Sequence, residues 1–360
     1  MRIALVYDVV YPFVVGGVQR RNHALASHLV GRHQVTFYGF QSWSESGEGL
    51  LPGCRYIGVG RPEPLYTASG KRRLREALLF GFRLIGPLGR GDEEVWDVAN
   101  FPFFSIPVAW ALSKLRRRAL VVTWHEFWGP YWDERLGKLG FLGRLLERAC
   151  LALSPTIVTV SRFTRDRIVA AGVDPARVHV VPNGIDIEAI RNAPAADIPS
   201  DLIGAGRLVA HKQPGLALRA FALLHRADPS LRFVGVGDGP ERVPLEALAG
   251  ELGVEGAVRF AGFVEKPEEL FGLMKASRVL LAPSKKEGFG IMVVEGWAAG
   301  LPAVVCQGPE SALPELVDDP VAGRVAASTP EAVAAACTEL LAREEPGNRA
   351  LLAKRAARYG

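Results

Sequence analysis

The fold is decided by the stretch Ser284-Lys-Lys-Glu287-Gly-Phe-Gly-Ile-Met-Val-Val-Glu295-Gly-Trp-Ala-Ala-Gly300-Leu-Pro302. The apolar residues 279–282 before it predict a short buried strand, and residues 291–299 predict a helix. Gly300 and Pro302 end that helix, because glycine accepts the left-handed C-terminal conformation and proline cannot continue a helix. A strand, a glycine turn and a helix N-terminus together predict an anion site, since unpaired N–H groups and the helix dipole favour phosphate.

Two carboxylates flank this predicted anion site. Glu287 directly precedes the glycine turn, and Glu295 lies within the helix. A carboxylate only accepts hydrogen bonds, so it suits neutral hydroxyl donors such as the vicinal diols of a sugar or a ribose. An anion site beside diol-binding groups predicts a nucleotide sugar as the ligand, with the turn residues Gly288, Phe289 and Gly290 among its contacts. The alternative is a solvated loop followed by a charged helix face.

Strand and helix patterns alternate on both sides of this stretch. Strands are predicted at 3–7, 35–38, 119–123, 156–160 and 178–181, near 202, and at 232–236, 258–260, 279–282 and 303–306. The alternation predicts parallel sheets with right-handed crossovers. A chain of 360 residues is too long for one ordinary core. We therefore predict an α/β protein with two Rossmann-like, doubly wound domains at 1–187 and 200–360, joined by a proline- and alanine-containing linker at 188–199.

Two cations follow the first predicted strand of the second domain. Arg207 comes directly after Gly206, and Lys212 precedes the helix that Pro214 opens. Ligands of open α/β sheets bind at this carboxyl edge of the strands. A guanidinium and an ammonium together can neutralise a pyrophosphate, although each could also be an ordinary surface cation.

The first half of the chain contributes a glycine pair and a histidine. Gly16 and Gly17 follow the first strand and let the backbone approach a phosphate or an acceptor. His125 comes just after the strand predicted at 119–123. A lone histidine at such a place is more often structural than functional.

Taken in order, these motifs resemble the retaining glycosyltransferases of family four, which have the GT-B fold. The resemblance extends from Gly16 to Glu315 and includes two glutamates separated by seven residues. It implies that Glu287 contacts the donor sugar, that Glu295 holds the ribose diol, that Arg207 and Lys212 clamp the diphosphate, and that His125 contacts the donor sugar. The sequence departs from the family at Gln19, where glutamate is usual, and at Gln213, where glycine is usual.

The resemblance also implies an activity and the roles of the two domains. The first domain is expected to bind the acceptor, and the second a UDP-, GDP- or ADP-linked sugar. A hexose-type sugar would move, with retention of configuration, to a glycan, lipid or small-molecule acceptor in polysaccharide or glycolipid biosynthesis. Neither a metal nor another cofactor is expected. A nucleotide-sugar epimerase, a phosphorylase with pyridoxal phosphate and a non-catalytic regulator stay as alternatives, whereas hydride transfer lacks its glycine fingerprint.

Charge is distributed unevenly along the chain. Residues 1–190 carry 24 Lys and Arg against 17 Asp and Glu, whereas residues 191–360 carry 19 against 21. The excess is concentrated in Lys71-Arg72-Arg73-Leu74-Arg75 and Lys114-Leu-Arg-Arg-Arg118. No nucleic-acid-binding signature accompanies these clusters. They predict either a solvated helix face or peripheral contact with anionic lipid through residues 71–75.

The two termini and the cysteines indicate in which cellular compartment the protein works. Cys54, Cys150, Cys306 and Cys337 have no metal-ligand spacing, and the N-terminus lacks the pattern of a signal peptide. We expect a reduced cytoplasmic protein, peripheral at the inner face of the membrane. Family members usually end in a helix that crosses back onto the first domain. Since this sequence stops at Gly360, either the chain is shortened or helices predicted at 332–341 and 350–358 substitute for the crossing helix. We expect a shortened chain with a loose hinge at the linker.

Overall fold

The computed structural model describes residues 1–44, 49–62, 73–343 and 346–360. The chain divides into two compact units, Met1–Gly184 (unit 1) and Ile185–Gly360 (unit 2). The first part of the predicted linker is not an extended connection. It belongs to helix α7 (Ile187–Asn192), whose fully buried Ile190 anchors it within unit 2.

Unit 1 alternates strands with helices. Its strands are β1 (Arg2–Val6), β2 (Gln34–Gly39), β3 (Cys54–Gly58), β4 (Val95–Ala99), β5 (Ala119–Trp124), β6 (Thr156–Thr159) and β7 (Val178–Val180). Its helices are α1 (Gly17–Leu29), α2 (Leu74–Arg90), α3 (Ser105–Arg116), α4 (Tyr131–Leu136), α5 (Gly140–Ala152) and α6 (Arg162–Ala170). Ser161 caps α6, because its side chain accepts a hydrogen bond from the Thr164 N–H at 3.1 Å.

The strands of unit 1 form one parallel sheet in the order β3-β2-β1-β4-β5-β6-β7. Ala4 and Val6 of β1 face a core shared with α2, α3, α5 and α6, whereas Ile3 and Leu5 face α1 on the other side. Right-handed crossovers explain this division, since α1 carries the chain one way along the sheet and the other helices carry it the opposite way. The strand order reverses between β1 and β4, which is the switch point where such sheets bind ligands.

Unit 2 continues the alternation after α7. Its strands are β8 (Leu202–Ala205), β9 (Phe233–Val236), β10 (Val258–Gly262), β11 (Val279–Ala282), β12 (Lys286–Glu287), β13 (Ala303–Cys306), β14 (Glu310–Ser311) and β15 (Gly323–Ala326). Its helices are α8 (Pro214–Ala227), α9 (Arg242–Glu251), α10 (Pro267–Lys275), α11 (Ile291–Ala298), α12 (Leu313–Leu316), α13 (Pro330–Ala342) and α14 (Pro346–Ala356).

Six strands of unit 2 form a second parallel sheet in the order β10-β9-β8-β11-β13-β15. Its switch point lies between β8 and β11. The short strands β12 and β14 pair in parallel outside this sheet, and the Ala312 N–H donates to the Glu287 carbonyl at 2.8 Å. This small pairing fixes the backbone of the first predicted carboxylate.

The C-terminal helix packs within unit 2. Helix α14 contacts α11, and the Ile185 N–H donates to the Tyr359 carbonyl at 2.8 Å, so the end of unit 2 meets its beginning. Among the described residues, we find no helix both long and apolar enough to cross a bilayer.

Candidate active site

A cavity that is partly open to solvent lies at the carboxyl edge of the unit 2 sheet. Arg207 and Lys212, which follow β8, line it together with Glu287 and Gly290, which follow β11. Strands β8 and β11 are neighbours in the sheet although they are distant in sequence. The topology therefore brings four of the predicted site residues to one cavity at the switch point.

Lys212 and Glu287 form an ion pair in the wall of this cavity. The Lys212 Nζ donates a hydrogen bond to Glu287 Oε2, and both side chains are partly exposed. Lys212 ends a 3₁₀ turn (Ala210–Lys212), and Glu287 belongs to β12. An ammonium and a carboxylate held side by side can bind an anion and a hydroxyl group of the same ligand.

Two glycines after β9 shape the loop that carries Arg207. Gly237 and Gly239 have φ of +124° and +154°. A Cβ on Gly237 would lie 2.0 Å from the Gly206 carbonyl oxygen, and one on Gly239 would lie 2.3 Å from that of Leu208. The loops after β8 and β9 can therefore approach one another only if both positions are glycine.

The predicted glycine turn opens α11, but the structure does not bring all of it to the cavity. Gly290, with φ of +105°, is the N-cap residue of α11 and lines the cavity. Gly288, Phe289 and Glu295 are buried and do not line it, and Glu295 is fully inaccessible. The two predicted carboxylates thus have different settings, one in a cavity wall and one inside the packing of a helix.

The backbone conformation of Gln213 explains why glycine is usual at this position. Its φ of +51° and ψ of 46° lie in the left-handed region, where a side chain is strained. The residue joins the turn of Lys212 to helix α8, so the strain lies directly beside the cavity.

In unit 1, His125 follows β5 at the carboxyl edge of the sheet. Burial lowers the pKa of its imidazole to about 3, and the positive charge of Arg21 contributes less. Its Nε2 atom is buried and has no hydrogen-bond partner among the described residues. His125 is therefore neutral at physiological pH, with one ring nitrogen available to a ligand.

Asn100, which the sequence reasoning missed, holds His125 from the neighbouring strand. The residue follows β4 and is buried. Its Oδ1 accepts the His125 N–H at 3.1 Å, and its Nδ2 donates to the Glu126 carbonyl at 3.2 Å. A polar residue directly after a strand next to β5 is the signal that could have identified it.

Arg21 is a second missed residue. It is buried on helix α1 and donates through Nη1 to the carbonyls of Val181 and Pro182 and to Asn183 Oδ1, at 3.1, 3.0 and 3.2 Å. A charged residue on the buried side of helix α1 is the signal here, because such a charge needs fixed partners. Arg21 ties α1 to the segment that follows β7.

Gly16 and Gly17 lie at the beginning of α1, in the loop after β1. Gly16 is the N-cap residue in an extended conformation, and Gly17 is the first residue of the helix. A Cβ on Gly16 would lie 2.6 Å from Gln19 Oε1, so the glutamine side chain folds back over the glycine. The structure places this pair and His125 at the carboxyl edge of the same sheet.

The fold and these sites define a class of protein. Each unit is a doubly wound parallel sheet with polar residues at the carboxyl ends of its strands, and unit 2 adds a cavity with cations at its switch point. These features define nucleotide-binding α/β proteins built from two Rossmann-like units.

Family models match almost the whole chain. Residues 15–189 match the model described as Glycosyltransferase Family 4, and residues 186–358 match the model described as Glycosyl transferases group 1. The chain belongs to glycosyltransferase family four, as the sequence motifs predict.

Two curated relatives illustrate the similarity. A GDP-mannose-dependent alpha-(1-6)-phosphatidylinositol dimannoside mannosyltransferase of Mycobacterium tuberculosis is 31% identical over 210 residues, which are 56% of this chain and 53% of that protein. The match thus spans about half of that relative. The monomannoside mannosyltransferase of Mycolicibacterium smegmatis is 28% identical over 91% of this chain and 86% of its own length.

Solved structures agree on the fold. The Anabaena protein HepE in complex with UDP and glucose superposes with a TM-score of 0.74 at 18% identity, over 98% of this chain and 93% of that one. Sucrose-phosphate synthase from Thermosynechococcus elongatus gives 0.75 at 19% identity, over 99% and 93%. The fold is GT-B, which confirms the prediction from the sequence.

Proposed function

We propose that this protein is a retaining glycosyltransferase that moves a hexose-type sugar from a nucleotide diphosphate sugar to a hydroxyl group of a glycan, lipid or small molecule. The observation that carries the proposal is the Lys212–Glu287 pair in the wall of the unit 2 cavity. In the reaction, the bond between sugar C1 and the diphosphate breaks, the acceptor oxygen bonds to C1 on the same face, and the acceptor proton is released.

Positive charge at the cavity supports transfer without a metal ion. Arg207 and Lys212 both line the cavity and can neutralise the diphosphate as it departs. When the diphosphate binds Lys212 in place of Glu287, the Glu287 carboxylate becomes available to accept hydrogen bonds from the donor sugar. The ion pair therefore keeps both groups in position until the donor arrives.

His125 suits contact with the donor sugar through its neutral ring. Because burial keeps its pKa far below the physiological range, the imidazole can exchange hydrogen bonds with a sugar hydroxyl without carrying a charge. Gly16 and Gly17 would let the backbone approach a ligand bound at this edge of the unit 1 sheet. Asn100 would act as a positioning residue, since it holds the backbone on both sides of His125.

Glu295 is proposed to hold the ribose diol, with Gly288 and Phe289 in the adjoining turn. Because Glu295 is fully buried, the diol must displace part of its surroundings to reach it. Glu295→Gln should weaken nucleotide-sugar binding by about 1–3 kcal/mol, the usual contribution of a hydrogen bond to a charged group. Calorimetry measures this loss, and an unchanged affinity would remove Glu295 from the site.

The relatives support the class of donor. The two mycobacterial mannosyltransferases are named as GDP-mannose-dependent, and the HepE structure contains UDP and glucose. A further HepE structure contains UDP-glucose, so a nucleotide sugar is named for each of these proteins. Which base and which sugar this chain prefers is the first question for experiment.

Thermal-shift screening with UDP-, GDP- and ADP-sugars tests the proposal, because a ligand that binds the folded state raises the melting temperature. The best donor is then incubated with candidate acceptors, and the anomeric configuration of the product is determined. We expect stabilisation by one nucleotide series and a product with retained configuration. Epimerised donor would favour an epimerase, and sugar phosphate formed from inorganic phosphate would favour a phosphorylase. Binding without turnover would favour a non-catalytic regulator.

We further propose that the protein works in the cytoplasm and touches anionic lipid at the N-terminal end of α2. Lys71 and Arg72 of the predicted cluster lie outside the described residues, whereas Arg73 and Arg75 are exposed. Helix α2 also exposes four apolar side chains on one side, the α2 stripe: Leu74, Leu78, Phe82 and Ile85. Vesicle binding that weakens with salt tests the contribution of the arginines.

A further inference from the structure

The C-terminal helix α14 lies along helix α11, which the glycine turn opens. Near the beginning of α14, Arg349 packs beside Gly300, where a Cβ would lie 3.1 Å from the Arg349 Cγ atom. Further along α14, the Arg355 guanidinium lies over the Trp297 ring, 4.8 Å from its centroid. These contacts follow α14 forwards and α11 backwards, so the two helices run antiparallel. The residues after α14 therefore approach the residues before α11.

A network of charges and hydrogen bonds fixes α14 in this position. Arg355 forms ion pairs with Asp318 and Asp319. Its Nη2 atom also donates to the Leu316 carbonyl at 2.9 Å. Asp319 is held in turn, because its Oδ1 atom accepts the Val321 N–H at 2.8 Å. A guanidinium that donates to several fixed acceptors keeps one geometry, so α14 has a defined position on α11.

The ring of Tyr359, just after α14, contacts the ring of Phe289 in the glycine turn. The two ring centroids are 5.7 Å apart at an interplanar angle of 61°, an edge-to-face arrangement that aromatic pairs prefer. Phe289 is buried, whereas Glu287 and Gly290, which flank the middle of the turn, line the cavity. The Phe289 ring therefore anchors the turn from the side away from the cavity.

The two ends of the glycine turn are held by the segment around α12. The Glu287 carbonyl accepts the Ala312 N–H at 2.8 Å. A Cβ on Gly290 would lie 2.3 Å from Leu313 Cδ2, so glycine lets the turn pack directly against α12. These contacts hold the ends of the turn, and the Tyr359 ring holds its middle.

The backbone of Tyr359 is itself fixed by the beginning of unit 2. The Tyr359 carbonyl accepts the Ile185 N–H at 2.8 Å. Beside it, a Cβ on Gly360 would lie 2.4 Å from Ile187 Cδ1, so the two segments are in close contact. A ring whose backbone is fixed in this way can hold the side chain that it touches.

We propose that Tyr359 is a positioning residue for the donor, because its ring holds Phe289 and thereby the glycine turn in the cavity wall. The donor part of this inference rests on the proposed glycosyl transfer. When the donor binds, Glu287 exchanges Lys212 for hydroxyl groups of the sugar, and the turn decides where its carboxylate then lies. A turn without its anchor would have to be ordered by the donor, and that ordering weakens binding.

Hydrogen exchange of the ligand-free protein tests the positioning without a donor. Tyr359→Ala removes the ring, whereas Tyr359→Phe keeps it. Amide exchange in a peptide that spans residues 287–290 should rise about tenfold in Tyr359→Ala and stay unchanged in Tyr359→Phe. Leu340→Ala controls for lost stability, since it opens a cavity in the core cluster that α13 shares with α8. Exchange unchanged in Tyr359→Ala, or raised equally in Leu340→Ala, would overturn the inference.

Calorimetry then measures the effect on the donor, with UDP-glucose or GDP-mannose, whichever stabilises the unmodified protein more. Tyr359→Ala should raise the Kd of this donor about tenfold, because binding must now order the turn. Tyr359→Phe and Arg358→Ala, at the exposed neighbouring position, should bind it as the unmodified protein does. An unchanged Kd in Tyr359→Ala would overturn the inference. Absence of donor binding by the unmodified protein would contradict the proposed function instead, and hydrogen exchange would still decide the role of Tyr359.

Discussion

The two units have the same architecture, but their candidate site residues differ in charge and burial. Unit 2 presents Lys212 and Glu287 as an ion pair in the wall of a cavity. Unit 1 presents His125 as a half-buried, neutral ring, and Asn100 holds the backbone N–H of this residue. The difference indicates that parallel sheets fix where a candidate site lies, whereas the residues that follow each strand decide the charge and burial of that site.

The two units also differ in the apolar side chains that their outer surfaces expose. In unit 1, α2 and α5 expose rows of large apolar side chains bordered by cations. In unit 2, the exposed large apolar residues are Val243, Phe263, Leu351 and Ile198, which are scattered along the sequence. A charged cavity suits a soluble nucleotide, and an apolar outer side suits a partner that is not in solution.

The largest effect should come from removing the cation of the unit 2 cavity. Lys212→Ala should lower turnover by roughly 10²-fold or more, because a preorganised charge partner of the leaving group is lost. Steady-state kinetics measures the loss, with Lys354→Ala as a control on the exposed side of α14. Activity should persist in EDTA. Strict dependence on added magnesium or manganese would contradict the assignment of this charge to Lys212 and Arg207.

The neutral histidine of unit 1 predicts a stability effect with a definite sign. Between pH 6.5 and about pH 3 the unfolded chain protonates His125 but the folded protein does not, because burial lowers the folded pKa to about 3. This residue should therefore reduce the free energy of unfolding by about 2 kcal/mol between pH 7 and pH 5, and contribute no further change above that range.

Urea unfolding at the two pH values checks this effect. His125→Asn should lose about 2 kcal/mol less than the unmodified protein on acidification, since its pH-sensitive ring is gone. The control variant is His179→Asn, at an exposed position on β7 of the same unit. If both variants keep the pH dependence of the unmodified protein, His125 is not the buried neutral group described above.

Substitution of Asn100 should lower activity less than substitution of Lys212. Asn100→Ala removes both hydrogen bonds to the backbone around His125, and we expect about a tenfold loss of kcat with little change in the KM for the donor. Asn100→Asp offers a sharper comparison, because a protonated aspartate can accept from the His125 N–H and donate to the Glu126 carbonyl. Activity of Asn100→Asp should therefore recover as the pH falls, and parallel profiles for both variants would indicate a merely structural role.

The smallest effect should come from relieving backbone strain beside the cavity. Gln213→Gly places the residue that tolerates the left-handed conformation at φ of +51°. We expect a gain of about 1 kcal/mol in the free energy of unfolding, measured by thermal denaturation of unit 2. Gln213→Ala, which keeps the strain, should bring no such gain. Equal stability of the two variants would show that the strain costs little.

How far the sequence predicted the structure differs between the units. In unit 2, helix α8 begins at the predicted Pro214, and strands Val279–Ala282 and Ala303–Cys306 have the predicted bounds, because each is a clear apolar run between turn residues. In unit 1, helix α2 was not predicted, since Gly81, Gly86, Pro87 and Gly89 lower its helix propensity. Burial of Phe80, Leu84 and Leu88 on one side of α2 overcomes that local preference.

By itself, the sequence determined the alternation of strands and helices, the GT-B fold and membership in family four, because these depend on short patterns and on the order of motifs. Only the tertiary structure decided which residues meet. Lys212 and Glu287 are 75 residues apart and pair because β8 and β11 are neighbours. Asn100 holds the backbone of His125 because β4 and β5 are neighbours. In each case the physical reason is the same, since a parallel sheet places the ends of distant segments side by side and thereby decides which side chains are buried, paired or exposed.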